Sequence, residues 1–442
     1  MVVHERDHVA GPVRLIQGPV VFTAGRQERP ALTGPRTLRF PPPAACFLLT
    51  NGPYHGTMAD SRARGSPPGT DEIAPVFDAY EVRRDDETVL YVGEPSVPGQ
   101  KLERELWPLF RERGYEVSVQ RGYRTDEGVP LSRGEYVLVA EPWSVGVDGI
   151  PTTNVLLFLA TVLSTLFAGA FYWYQVPIAS EPWRALEAWS FVVAILGVLG
   201  IHELGHYVMS RYHDVQASLP YFIPLPTYIG SMGAVIKMKG KIPDRRALFD
   251  IGAAGPLAGL VATVVVTAIG LQLDPLPAQQ AAAAQAGVGE TVVAFNHPPL
   301  LELIAWATGT TARLESGLLH PVVFGGWVGM LVTLLNMLPV GQLDGGHILR
   351  AMVGDQQERI AAVVPFALFS LAGYLLFVAD GIDSVGIWAM WGLFAVGLAY
   401  AGPADPIRDE ALDRKRFALG VVTFVLAALC FTPVPVEIVE LA

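Results

Sequence analysis

The sequence predicts a polytopic α-helical membrane protein of about seven transmembrane helices, with a re-entrant β-like segment among them and a small α/β soluble domain ahead of them. Three observations predict it. Hydrophobic residues make up 51% of the 442-residue chain and charged residues only 17%, against about a quarter charged in ordinary soluble domains. The apolar residues gather into long blocks from about Asn154 onward, whereas the first third reads like a soluble chain. Each block is near the ~20 residues needed to cross ~30 Å of hydrocarbon.

Residues 1–57 carry six basic against three acidic residues, include the run Pro41-Pro42-Pro43 and show no amphipathic period. They read as a disordered stretch, or as an upstream extension of a chain that starts at Met58, the only methionine between Met1 and Met209. No charged n-region followed by an apolar h-region opens the chain, so no cleavable signal peptide is expected and the leading part is assigned to the cytoplasm. Residues 58–150 form the soluble domain. Alternating runs at Ala79–Arg83, Thr88–Val92, Tyr115–Arg121 and Glu135–Val139 predict strands. Gly99–Arg113 places Leu102, Leu106, Leu109 and Phe110 at helical spacing and stops at Gly114. With 11 basic and 18 acidic residues over 58–150, this domain lacks the basic face of a nucleic-acid binder. It holds no catalytic constellation, and its polar residues read as a solvated surface. Cys46 and Cys430 lie too far apart in the chain to suggest a disulfide framework or a thiolate metal site.

The apolar blocks run approximately over 154–174, 187–210, 247–271, 320–339, 360–379, 384–401 and 417–433. From a cytoplasmic N-terminus, the second block runs from outside to inside. The following connection, 211–246, then faces the cytoplasm and holds Lys237, Lys239, Lys241, Arg245 and Arg246, as the positive-inside rule expects. The 402–416 connection, also inside, carries Arg408, Arg414, Lys415 and Arg416, while 272–319 has Arg313 as its one basic residue. Pro220, Pro224 and Pro226 forbid a helix after Tyr212. The apolar stretch Tyr221–Met238 is therefore expected to be a hairpin or re-entrant loop, tolerated at membrane depth only when buried in protein. Its strand edge offers backbone for β-addition of an extended substrate.

The second block contains His202-Glu203-Leu204-Gly205-His206. On a helix the two histidines project from one face about one turn (~5.4 Å) apart. Two such imidazoles bind one Zn²⁺ and leave the neighbouring Glu203 beside the open position, where it takes a proton from water and passes it to the leaving amine. Polar residues this deep in a membrane helix cost a few kcal/mol each unless paired or coordinated. Interhelical hydrogen bonding, the plain alternative, needs only one of them. A catalytic zinc wants a third protein ligand, and Asp344 supplies a candidate. It closes the fourth block at Leu343-Asp344-Gly345-Gly346-His347, on the same side as the histidines if both blocks run outward to inward. Gly345 and Gly346 permit an unwound turn that aims the carboxylate inward. His347 is left open between a partner of the ligands and an interface histidine.

His202-Glu203-Leu204-Gly205-His206 taken with Asn336, Pro339 and Leu343-Asp344-Gly345-Gly346 resembles the site-2 protease family of intramembrane zinc metalloproteases, over roughly residues 154–350. Gly230-Ser231-Met232-Gly233-Ala234 and the run from Gly252 to Gly259 match further family segments. The resemblance implies one Zn²⁺ per chain held by His202, His206 and Asp344, with Glu203 as general base. It also implies that Asn336 holds substrate backbone or the developing oxyanion, and that Ser231 and Gly233 lie on a membrane-dipping strand that meets substrate. Residues 151–350 become the metalloprotease core and 351–442 additional transmembrane helices. The soluble module ahead of the core is similar to the architecture of archaeal and plastid members. Implied partners are single-span membrane protein substrates and membrane lipid, in the cell membrane, with the soluble domain and the site opening toward the cytoplasm. Two rivals remain: a zinc-binding membrane protein without protease activity, such as a transporter or an inactive homologue, and a membrane-anchored protease with a soluble catalytic domain. A transporter wants ionisable residues along a pathway, whereas Arg359, Asp380 and Asp383 sit at block ends. An inactive homologue would be expected to lack Glu203. A soluble catalytic helix would be amphipathic, whereas Val192–Ile201 is apolar all round.

Overall fold

The structure, a computed structural model, describes residues 65–124, 130–143, 151–238, 240–277, 279, 291–379 and 382–440. The segment 1–57 and the alternative start at Met58 lie outside these residues. The N-terminal region is a four-stranded antiparallel sheet with one long helix across it. Its strands are β1 (Phe77–Asp85), β2 (Thr88–Pro95), β3 (Tyr115–Arg124) and β4 (Pro130–Pro142), in the order β1-β2-β4-β3, and its helix is α1 (Gly99–Arg111). Period-two alternation on central strands β2 and β4 separates two apolar clusters. Val89, Tyr91, Leu138 and Ala140 meet Leu102, Leu106 and Phe110 of α1, while Leu90, Val92, Val137 and Val139 form a smaller cluster.

The rest is mostly helical. Helix α2 (Thr152–Trp173) precedes α3 (Trp189–Tyr212), and the hairpin β5 (Tyr221–Pro224) and β6 (Ser231–Val235) follows before α4 (Arg245–Gln272). Then come β7 (Thr291–Phe295), α5 (Pro299–Ala307), α6 (Pro321–Asn336), α7 (Asp344–Val353), α8 (Gln356–Phe377), α9 (Ile382–Ala401), α10 (Arg414–Ala428) and β8 (Val436–Glu440). Among the described residues, five helical stretches are long and apolar enough to cross a membrane: α2, α3 with the turn that begins at Pro182, α4, α8 and α9. The fourth and seventh apolar blocks fold instead as α6 and α10, helices of 16 and 15 residues. Exposed apolar side chains such as Leu156, Phe366, Phe377 and Tyr400 stud the spans, as expected where the solvent is hydrocarbon. β7 pairs with β8 in register from Thr291↔Glu440 to Phe295↔Val436. That pairing joins a connection to the C-terminal segment, and sequence periodicity did not announce it.

Close approach sets the direction of the central helices. A Cβ on Gly259 of α4 would crowd His202 of α3, and one on Gly270 would crowd Val323 of α6. On α6, Gly325 abuts Ala194, and Gly329 lies against Thr263 and Val198. These contacts run α3 and α6 in the same direction, with α4 antiparallel between them. Small residues let the backbones come this close in a membrane-type bundle. Because α3 and α6 are co-directional, the end of α3 that carries the histidines lies beside the end of α6 from which the chain turns into α7.

One expectation is corrected here. Gly345 and Gly346 do not form the unwound turn; they are helical residues in the first turn of α7. The non-helical turn is supplied by the residues between α6 and α7, where Gly341 takes φ 54° with its α-carbon against Leu398 of α9. Gly345 and Gly346 are needed for closeness, since a Cβ on either would strike the carbonyl of Met337 or of Gly341.

Candidate metal centre

His202 and His206 stand one helical turn apart on the buried face of α3 and are 3% and 6% exposed. Asp344 is the first residue of α7, so its carboxylate stands at the start of a helix at the foot of α6. The three residues bring one ligand atom each to within 4.8 Å of one another, and they are the one such metal-capable group among the described residues. His202 Nε2 lies 3.1 Å from Asp344 Oδ2, His206 Nε2 lies 3.2 Å from Asp344 Oδ1, and the two Nε2 atoms are 3.2 Å apart. Ligands about 2.0–2.1 Å from a tetrahedral ion are separated by about 3.3 Å. The triangle therefore fits a zinc-sized cation. Three protein ligands leave the fourth position open, as a catalytic site requires.

Tautomer and orientation fit as well. His206 Nδ1 donates to the Ile251 carbonyl at 2.8 Å, which leaves Nε2 with a lone pair aimed at the other two ligands. The floor beneath the imidazoles is glycine. A Cβ on Gly255 would overlap the His206 ring, and one on Gly259 would fall 2.8 Å from His202 Nδ1. Gly205, inside the motif, faces the Ala254 carbonyl across α4, where a Cβ would come within 2.5 Å. The motif's central glycine therefore sets the α3–α4 spacing.

Glu203 is buried. The hairpin packs on the same helix three residues ahead of it, with Phe222 against Gly200. Asn336, the last residue of α6, places Nδ2 3.3 Å from His202 Nε2, beside the ligand set. Ser231 and Gly233 lie on β6, which pairs with β5 from Tyr221↔Val235 to Pro224↔Ser231. The Ser231 hydroxyl is used inside the hairpin, accepting from Gly233 N at 3.0 Å and donating toward the Ile223 carbonyl at 3.3 Å. Gly233 takes φ 121°, a conformation that favours glycine. What these two positions can present outward is strand backbone. His347 is buried with its Cβ over Gly252, and its Nδ1 makes no hydrogen bond among the described residues. It stands outside the ligand triangle.

Sequence reasoning did not single out the Ile251 carbonyl, Gly255 or Gly259 as groups of the site. A signal for the glycines was present: Gly255 and Gly259 repeat at i, i+4 on α4, as His206 and His202 do on α3.

Residues 190–379, which include both the histidine pair and Asp344, match the family described as Peptidase family M50. Among curated proteins, the chain is 34% identical over 301 residues to the probable zinc metalloprotease EGY1, chloroplastic, of Arabidopsis thaliana, covering 65% of this chain and 52% of that one. The Oryza sativa subsp. japonica protein of the same description is 33% identical over 317 residues, with 65% and 51% covered. The probable zinc metalloprotease EGY2, chloroplastic, of Arabidopsis thaliana is 29% identical over 240 residues, with 54% and 40% covered. The chain spans about half the length of the curated relatives it matches. No solved structure matches it. With a metal-capable triangle on membrane-length helices and these likenesses together, the chain is a membrane-bound homologue of the EGY zinc metalloproteases and carries across residues 190–379 a domain of peptidase family M50, the site-2 proteases.

Proposed function

We propose that this protein is an intramembrane zinc metalloprotease that hydrolyses peptide bonds within or next to the transmembrane segments of single-span membrane proteins. The observation that carries the reading is the triangle of His202, His206 and Asp344, with Glu203 adjoining it, inside a bundle of membrane-length helices. His202 and His206 through Nε2, and Asp344 through its carboxylate, would hold one Zn²⁺ per chain. When bound, zinc supplies Lewis acidity toward the scissile carbonyl and acidifies the attacking water. Glu203 takes the proton of that water and delivers it to the departing amine. Asn336 Nδ2, next to the ligand set, donates to the carbonyl oxygen as negative charge develops. A substrate helix must first unwind, because its carbonyls are hydrogen-bonded; the backbone of β6 around Ser231 and Gly233 offers replacement partners by strand addition.

The finer architecture belongs to the same proposal. All seven apolar blocks span the bilayer, the short α6 and α10 included, with β5 and β6 as the re-entrant segment. Residues 58–150 are the soluble domain, 151–350 the protease core and 351–442 the additional helices. The soluble domain and the site opening face the cytoplasm of the cell that carries the protein in its cell membrane. This orientation is supported by Lys241, Arg245, Arg408 and Arg416, which gather at the end of the bundle nearest the soluble domain.

The testing experiment is Glu203→Gln in the full chain, purified in detergent, with zinc per chain measured beside cleavage of a reconstituted single-span protein. Zinc near one equivalent in both proteins, and cleavage lower by on the order of 10²- to 10⁴-fold in the variant, is the expected result. Wild-type cleavage by the variant removes the assigned base. A zinc-loaded wild-type protein that cleaves no membrane protein favours the non-proteolytic reading.

A further inference from the structure

The soluble domain is fastened to the membrane part at places that lead to both sides of the metal centre. On α1, the Arg111 guanidinium lies 3.6 Å from the Trp143 ring centroid and 5.5 Å from that of Trp107. It donates to Glu116 Oε2 at 2.7 Å and to the carbonyl of Asp214. Glu116 Oε1 accepts from Trp107 Nε1 and from the backbone amide of Lys241, each at 3.2 Å. Lys241 Nζ pairs with Glu103 at 2.8 Å. Asp214 and Lys241 are the two ends of the hairpin segment. Between them the ladder runs through Ala217↔Met238, Ser218 N to the Lys237 carbonyl at 2.9 Å, and Tyr221↔Val235. The hairpin that closes that ladder packs on α3 just ahead of the histidine motif, with Phe222 against Gly200.

The second tie is Ile407, in the connection between α9 and α10. Its side chain is buried in the soluble domain's own core with Phe77, Tyr91, Leu102 and Phe110. Its amide donates to the Ile242 carbonyl at 2.9 Å, and that of Arg408 to Pro243 at 3.0 Å. The same connection holds α7, because Asp405 pairs with Arg350 at 2.9 Å, and it holds α4, because Asp409 pairs with Arg245 at 2.5 Å. Arg350 sits on the helix that Asp344 opens.

We propose that the soluble domain is a positioning element for the metal centre: Glu116 and Arg111 lock the base of the hairpin that packs on α3 beside the histidine motif, and Ile407 locks the connection that anchors the helix of Asp344. A domain tethered for recruitment alone needs one linker. Here a half-buried carboxylate receives donors from two separate segments, and an apolar side chain of one part is built into the core of the other. Charge-assisted bonds of this kind hold two bodies in register. Undocking the domain releases the hairpin base and the α7 anchor together. The consequence for catalysis rests on the zinc-protease reading; the mechanical link does not.

The test uses the full chain in detergent with zinc, comparing Glu116→Ala, Glu116→Gln and Ile407→Ala with wild type. Amide hydrogen exchange is followed along β6, zinc per chain is measured, and kcat and KM are read with fluorescein-labelled β-casein as probe. Glu116→Ala is expected to speed exchange over Ser231–Val235 about tenfold. It lowers kcat with little change in KM and none in zinc content. Glu116→Gln, which keeps an acceptor for the Lys241 amide, recovers most of both. Ile407→Ala moves exchange and kcat in the same direction, and it carries the test if Glu116→Ala fails to fold. Faster exchange confined to residues 70–142, with β6 and kcat as in wild type, overturns the proposal. Faster β6 exchange in Glu116→Ala, in a protein whose wild type neither binds zinc nor cleaves, supports the link while removing the protease reading.

Discussion

His206 is defined by three neighbours more than by its own identity. The Ile251 carbonyl fixes its tautomer, Asp344 faces its Nε2, and Gly255 leaves room for its ring. A methyl group on Gly255 has nowhere to go except into the imidazole, so the ring must turn and the lone pair leaves the triangle. Gly255→Ala is therefore expected to weaken zinc binding by about 10- to 100-fold, the range seen when a ligand's supporting contacts are lost. Competition with a graded chelator measures it, with helix content checked by circular dichroism. Affinity equal to wild type would mean that the ring has another orientation available. Glu203, the proposed general base, is buried on the same helix, against which the hairpin packs through Phe222 at Gly200.

At the scale of elements, the hairpin and the α6–α7 turn do what a helix cannot. Proline at positions 220, 224 and 226 ends helical structure after Tyr212 and leaves β5 and β6 as a two-stranded unit against α3. Its register places Phe222 opposite Ala234 and Ile223 opposite Gly233. Ala234→Pro removes a backbone donor from β6 and stiffens the strand at the point where the register is set. Cleavage is expected to fall below detection while zinc content stays near wild type. Unchanged cleavage would reject β6 as the segment that receives substrate. The other element, the turn from Met337 to Leu343, lowers Asp344 onto the histidines by means of Gly341 at φ 54° and the close-packed Gly345 and Gly346. An apolar helix of 16 residues followed by such a turn puts the acid at the depth of the imidazoles.

For the whole molecule, two co-directional helices bring distant sequence to one point, and a set of ion pairs ties that end of the bundle together. Arg245 pairs with Asp409, Arg350 with Asp405, and Arg416 with Asp250, which also accepts from His213. The Arg245 guanidinium holds the Asp409 carboxyl below its ordinary value. A carboxyl depressed in the folded state stabilises the fold above its unfolded pKa of about 4, and the contribution disappears as pH falls through the folded pKa. Asp409→Asn is thus expected to melt below wild type at neutral pH and to converge with it as pH falls through the acid range in which the depressed carboxyl protonates. Thermal unfolding of the detergent-solubilised chain across that range checks the sign; parallel curves at all pH values would show the pair to be energetically silent.

The sequence by itself determined what depends on nearest neighbours along the chain. Helical spacing put His202 and His206 on one face, three prolines forced the hairpin, and alternation located the four strands of the N-terminal sheet, though short of their limits, most of all where Glu135–Val139 lies inside Pro130–Pro142. Asp344 was within reach because counting spans gave the direction of the fourth apolar block. The tertiary structure alone decided what depends on partners remote in the chain. It paired β7 with β8, set the Ile251 carbonyl on His206, gave Gly345 and Gly346 a packing role where an unwound turn was expected, and sank Ile407 into the core of another domain. Composition and period record which face of a segment is buried. Which remote group occupies that face is fixed only when the helices pack and each buried donor finds an acceptor.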